Sequence, residues 1–438
     1  MRFTAGVVLG WVTLLNACGE SADPSPPEFA LSPESQWAGG EIEIRSGLFR
    51  GRQFIPTITA AGEPMSTRRI NDSTIAATLP GILPSGTAAI ELIDELDDLR
   101  EHDLGSVEVV GFRSRTQAAP GVLWEPYIVP SVTGPVAVAG LATPPANGGT
   151  GIVDLRTALT VSISGIEPPD VAGGHGVGVT FNPNNFILRD SLGVVGEWQL
   201  LPTVAYVDTV PSVAVTRQIA RLSDSVWVIT GNHSTVVRRA SGPDISLQIE
   251  DPWRFNLSVA ADKALLNSTQ HTGGAAVLEM STGDTLYRLP LIVVSGAAFT
   301  PDGATLFVVG NLGSGLDHLF RIDAATGVVQ QSLALGFGLT ASGVALSETG
   351  SRIYVGAIAD SLPEVVVFEN GTSMTYVGRM SAPLTSGCTL CGQGNLLFQA
   401  ALAVDDATQT VFLISHGDPA QIWEFDVLPE ALTTARRR

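Results

Sequence analysis

Two stretches of this chain are variations on one pattern, and that repetition limits the folds open to it. "AAFTPDGATLFVVGN" (297–311) aligns with "VALSETGSRIYVGA" (344–357), with Gly303 on Gly350, Leu306 on Ile353, Phe307 on Tyr354 and Val308 on Val355. Weaker copies read "ARLSDSVWVITGN" (220–232), "LSVAADKALLNST" (257–269) and "LAVDDATQTVFLIS" (402–415). Anchored on the second apolar run of each copy, Val226, Leu265, Leu306, Ile353 and Val411 recur at steps of 39, 41, 47 and 58 residues. Behind three of them lies a third run ending in a polar turn: "AAVLEMSTG" (275–283), "HLFRIDAATG" (318–327) and "EVVVFENG" (364–371).

Several short strands per period of about 45 residues is the signature of a β-propeller. One twisted four-stranded sheet cannot bury both its faces, whereas a closed ring of such sheets buries each face against a neighbour. The turns "PDGA" and "SETG" place Gly303 and Gly350 where a positive φ costs nothing. Residues 113–430 hold 318 positions, which divide into seven units of about 45 residues. Six and eight units remain open. "GPVAVAGLATPP" (134–145) and "GVGVTFNPNNFILRD" (176–190) read as irregular early members. An open ring would expose a sheet edge. The apolar segment "GVLWEPYIVP" (121–130) is expected to supply the strand that the C-terminal "QIWEFDVL" (421–428) lacks.

The later repeats resemble the YVTN family of propellers. Phe299, Thr300, Pro301, Asp302, Gly303, Leu306, Phe307, Val308 and Val309 follow its hydrophobic-S-P-D-G-x-x-hydrophobic-Y-V-T-N pattern, with Asn311 displaced by one glycine. Asp323, Thr326 and Gly327 match the D-x-x-T-G that follows. Only this copy is close to the pattern. The resemblance implies a cell-envelope or surface-layer setting. Relatives of the family include lactonases and quinone-dependent dehydrogenases, so the fold selects no single activity.

Residues 29–112 read as a separate β-sandwich. Ile42 and Ile44 alternate with Glu41, Glu43 and Arg45, the period-two mark of a half-buried strand. "DSTIAATLPGILPSGTAAIELID" repeats that alternation around turns at Pro80, Pro84 and Gly86. The unit resembles the IPT/TIG group of immunoglobulin-like domains through Gly39, Gly40, Ile42, Ile44, Gly47 and Phe49, and through Pro80, Gly86 and Thr87. Such domains space or dock others. The acid-rich "DELDDLREHD" (94–103) lacks the spacing of a calcium loop and reads as a solvated hairpin. The expected class is therefore all-β, an Ig-like sandwich followed by a seven-bladed propeller.

Residues 1–17 read as a signal peptide, with Arg2 ahead of an apolar run at 5–15 that is too short to span a bilayer. Leu15, Asn16, Ala17 and Cys18 resemble the lipobox of bacterial lipoproteins, which implies a lipid anchor on Cys18. An ordinary secretory signal with an incidental cysteine is the alternative. Residues 18–28, rich in proline, serine and acid, form the tether. Gly19, rather than Asp, is compatible with an outer-membrane destination. The basic tail is 431–438. A formal charge of −19 with Lys263 as the lone lysine argues against nucleic acid. The expected partners are a membrane, through the anchor, and an envelope protein or carbohydrate.

Catalytic motifs are missing from the sequence: it has no G-x-S-x-G, no H-E-x-x-H and no G-K-[ST]. His175, in "AGGHGVG", and the pair Asp317 and His318, in "NLGSGLDH", are the candidates for a ligand face, and each is equally readable as a solvated loop residue. Cys388 and Cys391 in "SGCTLCGQGN" lack the histidine that haem attachment needs and the further ligands zinc needs. They read as a local disulfide in an oxidising compartment. No cofactor is expected. The sequence reading favours a binding or scaffolding module, with a propeller lactonase or dehydrogenase, or a passive surface protein, as rivals.

Overall fold

The computed structural model describes most of residues 29–117, then the strands and short turns of 122–428. Among the longer stretches not described are 1–28, 95–99, 143–148, 164–178, 190–194, 200–204, 210–217, 383–401, 415–420 and 429–438. Among the described residues every regular element is a strand except two short 3₁₀ turns, Gly47–Phe49 and Val259–Ala261.

The first unit is two sheets packed face to face. One carries Phe29–Ser32, Glu41–Ser46, Thr74–Thr78 and Ser66–Asn71 in that order; the other carries Ser35–Trp37, Arg100–Val110, Gly86–Asp94, Thr57–Ala60 and Glu63–Pro64. Alternation sets the inner faces, so Ile42, Ile44, Ile75 and Ala77 from one sheet meet Ile58, Ile90, Leu92, Val107 and Val109 from the other. Strands Gly86–Asp94 and Arg100–Val110 form the hairpin expected at the acid-rich segment. Asp94 itself departs from that expectation. It is buried, and Arg52 donates two hydrogen bonds to its carboxylate, at 2.8 and 2.6 Å.

Seven further sheets follow among the described residues. Sheet I holds Val122–Ser131, Gly134–Ala142, Gly149–Asp154 and Thr160–Ile163, and sheet II holds Asn185–Arg189, Val195–Gln199 and Ala205–Thr209. Sheet III holds Gln218–Ser223, Val226–Thr230, Thr235–Arg239 and Ile245–Leu247, with the short Val179–Thr180 alongside its first strand. Sheet IV is Pro252–Ser258, Lys263–Ser268, Ala275–Glu279 and Thr285–Leu289; sheet V is Val293–Phe299, Thr305–Asn311, His318–Asp323 and Val329–Ala334. Sheet VI is Leu339–Leu346, Arg352–Ala359, Leu362–Asn370 and Met374–Ser381. Each of sheets IV, V and VI is an antiparallel meander in chain order. The five anchor positions read from the sequence all fall on second strands.

Sheet VII is composite. Leu402–Asp405, Thr410–Ile414 and Gln421–Asp426 come from the C-terminal end of the chain, and the outer strand is Phe112–Gln117, antiparallel to Gln421–Asp426. The ring is closed as expected, but by a different segment. "GVLWEPYIVP" instead falls in the first strand of sheet I, whose Ile128 is buried in the cluster shared with sheets VI and VII. The closing strand, "FRSRTQ", is polar after Phe112 and alternates half-buried with exposed positions, Arg113 and Arg115 lying outward.

Apolar clusters join neighbouring sheets. Leu265, Val277, Val294, Leu306 and Phe320 link sheets IV and V; Phe307, Leu319, Ile353, Val355 and Phe368 link V and VI. One continuous cluster takes Val365 and Val367 from VI, Phe412, Trp423 and Phe425 from VII, and Ile128, Ala137 and Val153 from I. Sheet VII is thus packed on both sides by the two ends of the array.

Turn glycines set the spacing of this array. Gly303 and Gly350 have φ of +65° and +70°. A Cβ on Gly303 would lie 1.9 Å from that of Ala261 in the preceding sheet's turn, and one on Gly350 would lie 3.1 Å from Pro301 Cδ. Conformation and packing therefore demand glycine at Gly303 independently. Gly303→Ala should cost about 3 kcal/mol, from left-handed strain plus overpacking. Gly242→Ala, at φ +102° with nothing near its would-be Cβ, should cost about 1 kcal/mol. Urea denaturation of both variants checks the ordering.

Candidate functional site

In an antiparallel meander the first-to-second and third-to-fourth turns lie at one end of the sheet. The second-to-third turns and the links to the next sheet lie at the other. The tight turns of sheets IV to VI are of the first kind. Asp323 fixes one of them, accepting hydrogen bonds from Ala325 N (3.0 Å), Thr326 N (2.8 Å) and Thr326 Oγ1 (2.8 Å). Thr300 and Asp302 fix another through a 2.6 Å hydroxyl–carboxylate bond. Between the tight-turn ends, Arg239 reaches from sheet III to Asp284 of sheet IV at 2.6 Å, and the Tyr287 hydroxyl donates to Ala324 O of sheet V at 3.0 Å.

The opposite end is the loop face, and it carries Asp317 and His318. Asp317 accepts from Asn311 Nδ2 at 3.4 Å and from Ala341 N, on the first strand of sheet VI, at 3.0 Å. It latches sheet V to sheet VI. Asn267 does similar work one sheet earlier, donating to Val294 O at 3.3 Å. The His318 ring stacks on Phe320, with centroids 5.7 Å apart, and its Nδ1 lies 3.0 Å from Ser332 Oγ. Both candidates are half-buried. Among the described residues, neither has a titratable partner in its bonds, which go to Asn311, Ala341 and Ser332. His175, Cys18, Cys388 and Cys391 lie outside the described residues, as does any test of the cysteine pairing. Among the described residues no group of three or more His, Cys, Asp or Glu is placed to hold a metal.

A dense polar site, which the sequence reading missed, is the seam between the sandwich and sheet VII. Asp426, at the tight-turn end of the last strand, is buried. Its carboxylate accepts from the Ser85 hydroxyl, Gly111 N (2.9 Å) and Arg113 Nε. Its own N–H donates to Gly111 O at 2.8 Å. Arg113 goes on to donate to Thr410 Oγ1 at 2.6 Å and Thr408 O at 3.2 Å. Beside this cluster Trp37 of the sandwich lies over Gly378 of sheet VI, where a Cβ would come within 2.7 Å of the indole. Trp37 belongs to the apolar cluster that joins VI, VII and I. The sandwich is therefore seated on the flank and tight-turn end of the closing sheets. Nothing local in the sequence marks this seam, because Ser85 and Asp426 are 341 residues apart.

A second carboxylate fixes the other side of the closure. Arg156, in the turn after the third strand of sheet I, donates to both oxygens of Asp405 in sheet VII, at 2.5 and 2.8 Å. Burial pushes the Asp405 carboxyl up, but the hydrogen bonds from Arg156 and Thr408 together hold it below the ordinary carboxylate value. The bond to Asp405 correspondingly raises Arg156. Leu428 N donates to the Tyr354 hydroxyl of sheet VI at 3.1 Å.

No family model matches the chain, and no curated protein matches it in sequence. Solved structures do match in shape. The β-propeller domain of Cps50 (Swd1) from Myceliophteria thermophila aligns at 11% identity over 73% of this chain and 100% of its own, with a TM-score of 0.49. A chain of a mitotic checkpoint complex aligns at 10% identity over 73% of this chain and 93% of its own, with a TM-score of 0.53. Kuenenia stuttgartiensis hydrazine synthase aligns at 10% identity over 70% and 96%, with a TM-score of 0.47. The 0.53 match agrees with the ring of meanders closed through sheet VII. The fold is a β-propeller. At these identities the likeness is one of fold alone.

The Asp405 carboxylate and the Tyr287 hydroxyl give the propeller a defined pH dependence. Because the folded pKa of Asp405 is depressed, its contribution is present above the unfolded value of about 3.9 and is lost as pH falls through the folded value. Tyr287 has the opposite sense. Burial, then the Asp323 carboxylate, pushes its hydroxyl up to about 12. Its contribution is present below the unfolded value of about 10 and is lost as pH rises through the folded one. Denaturation across pH should show Asp405→Asn less stable by about 1–3 kcal/mol at neutral pH, with a flatter acid limb. Tyr287→Phe should flatten the alkaline limb.

Proposed function

We propose that this chain is a lipid-anchored protein of the bacterial cell envelope in which an Ig-like, IPT/TIG-type sandwich carries a seven-bladed, YVTN-type propeller. The loop face of the propeller binds an envelope protein or carbohydrate. The seven sheets and their period of about 45 residues support the blade number. The sandwich reading is supported by Gly39 at φ +84° and by the buried Ile42, Ile44 and Phe49, which occupy the motif positions.

The observation that carries the reading is where the sandwich sits. Its bonds to the propeller, from Ser85 and the junction residue Gly111, fall on Asp426 at the tight-turn end, and its Trp37 packs over Gly378 at the flank. Among the described residues, the end that holds Asp317 and His318 takes no part in that docking. A rigid carrier attached to one end of a ring leaves the other for a partner. One solved structure with this fold belongs to a protein complex, which agrees with a binding role.

Two exposed apolar residues on opposite ends of sheet V provide the test. Leu312, just past the second strand, is 51% exposed at the loop face, and Val328, in the third-to-fourth turn, is 60% exposed at the other end. A photo-crosslinking residue at position 312 should capture one defined envelope component in cells, and the same residue at 328 should not. Equal capture from both positions, or none from 312, would reject the loop face as the contact surface.

A further inference from the structure

The sandwich has a far end, and the chain enters there. Phe29 pairs with Ser46, while the opposite end of the same sheet, at Glu41 and Thr78, adjoins the Gly39–Gly40 turn beside the propeller seam. In the second sheet, Gly86 and Val109 lie near the seam and Asp94 and Arg100 lie away from it. Strand Gly86–Asp94, nine residues long, sets the two ends roughly 27–30 Å apart.

One loop at this far end is built in an unusual way. Residues 50–56, "RGRQFIP", follow the 3₁₀ turn Gly47–Phe49, which the Ser46 hydroxyl caps by accepting from Leu48 N at 3.2 Å. Arg52 is held by its two bonds to Asp94. Arg69 donates to Phe49 O and Arg52 O, both at 3.0 Å. Phe49 is fully buried, whereas Phe54, five residues on, is 78% exposed, more than any other large apolar residue described. Arg50 and Gln53 beside it are exposed as well. A loop pinned at three backbone or side-chain points displays a phenylalanine to solvent. Phe54 is thus held outward on a fixed loop beside an exposed arginine.

We infer that this loop is a membrane-surface contact, with Phe54 entering the headgroup–acyl boundary and Arg50 meeting lipid phosphate. For its orientation the inference rests on the proposed anchor at Cys18. Residues 19–28 lead directly to Phe29, and ten residues reach at most about 36 Å, so the anchored bilayer lies within that distance of the far end. Of the nearby carboxylates, Asp94 is neutralised by Arg52 and Glu43 pairs with Arg45. Asp72 and Glu101 are exposed at this end, and the acid-rich turn 95–99 between Asp94 and Arg100 lies outside the described residues. The short tether, rather than charge, is what favours a lipid surface over a protein here. An aromatic side chain and a basic one on a short loop give weak binding that supplements an anchor.

The test separates the loop from the anchor. The full chain carrying Cys18→Ser, which has no acyl group, is titrated with vesicles of phosphatidylethanolamine and phosphatidylglycerol, with and without Phe54→Ser. The parent should partition onto the vesicles, and Phe54→Ser should weaken that partition about tenfold without changing the melting temperature, because Phe54 packs against little. Equal partition of the two, or no partition of the parent, would overturn the inference. So would loss of retention on whole envelopes but not on vesicles, which would assign the loop to a protein partner. The mass of wild-type protein extracted from membranes reports on Cys18 separately. An unmodified cysteine there would remove the anchor reading, while the vesicle result would still decide the loop.

Discussion

The structure depends on one buried carboxylate. Asp426 ends the last strand of the ring, and every group it accepts from belongs to the N-terminal part of the chain: Ser85 in a sandwich loop, Gly111 at the junction, Arg113 on the closing strand. A buried carboxylate is tolerated only where charge and hydrogen bonds replace its water. Asp426 has both, so it favours one geometry among the many in which two chain ends could meet. Closing the ring requires ordering some 300 residues of intervening chain, and the loop-entropy cost of that closure rises only slowly with length. The apolar cluster of Phe412, Trp423 and Phe425 supplies the attraction, and Asp426 supplies the register.

This arrangement makes the sandwich part of the closure. Strand Arg100–Val110 leaves the second sheet of the sandwich and, after Gly111, the chain continues as Phe112–Gln117 in sheet VII. Trp37 fills a space on sheet VI that Gly378 leaves open. Carrier and ring therefore share a strand junction, an apolar cluster and a hydrogen-bonded cluster. Their relative orientation is set by covalent continuity as well as by contact.

Much of the ring was legible in the sequence because its turns obey local chemistry. D-x-x-T-G at Asp323 to Gly327 folds as a side-chain-capped turn wherever it occurs, and Gly303 and Gly350 announce left-handed residues. The copies that looked degenerate use other residues for the same shape. Asp262 and Gln409 take φ of +52° and +53° where glycine would be expected, and Asp262 compensates by accepting from Ser281 N and Oγ. The closing strand was misplaced because apolarity was taken as its mark. An outer strand is half-solvated, and the polar "FRSRTQ" tolerates that exposure with Arg113 and Arg115 outward. Asp317 read as a ligand-face residue, and it serves as a latch to Ala341. The loop position was readable, but the acceptor role depends on a partner on the next sheet.

Native-state hydrogen exchange on the full chain, wild type against Asp426→Ala, addresses the closure most directly. If Asp426 joins the two chain ends, amides of Phe112–Gln117 and Gln421–Asp426 are protected like those of the inner strands in the wild type. In the variant both segments lose protection together, by about two orders of magnitude or more, as expected when a buried charge cluster is broken. Wild-type amides of Phe112–Gln117 that exchange as freely as an unpaired tail would contradict the account, as would a variant in which both segments keep their protection.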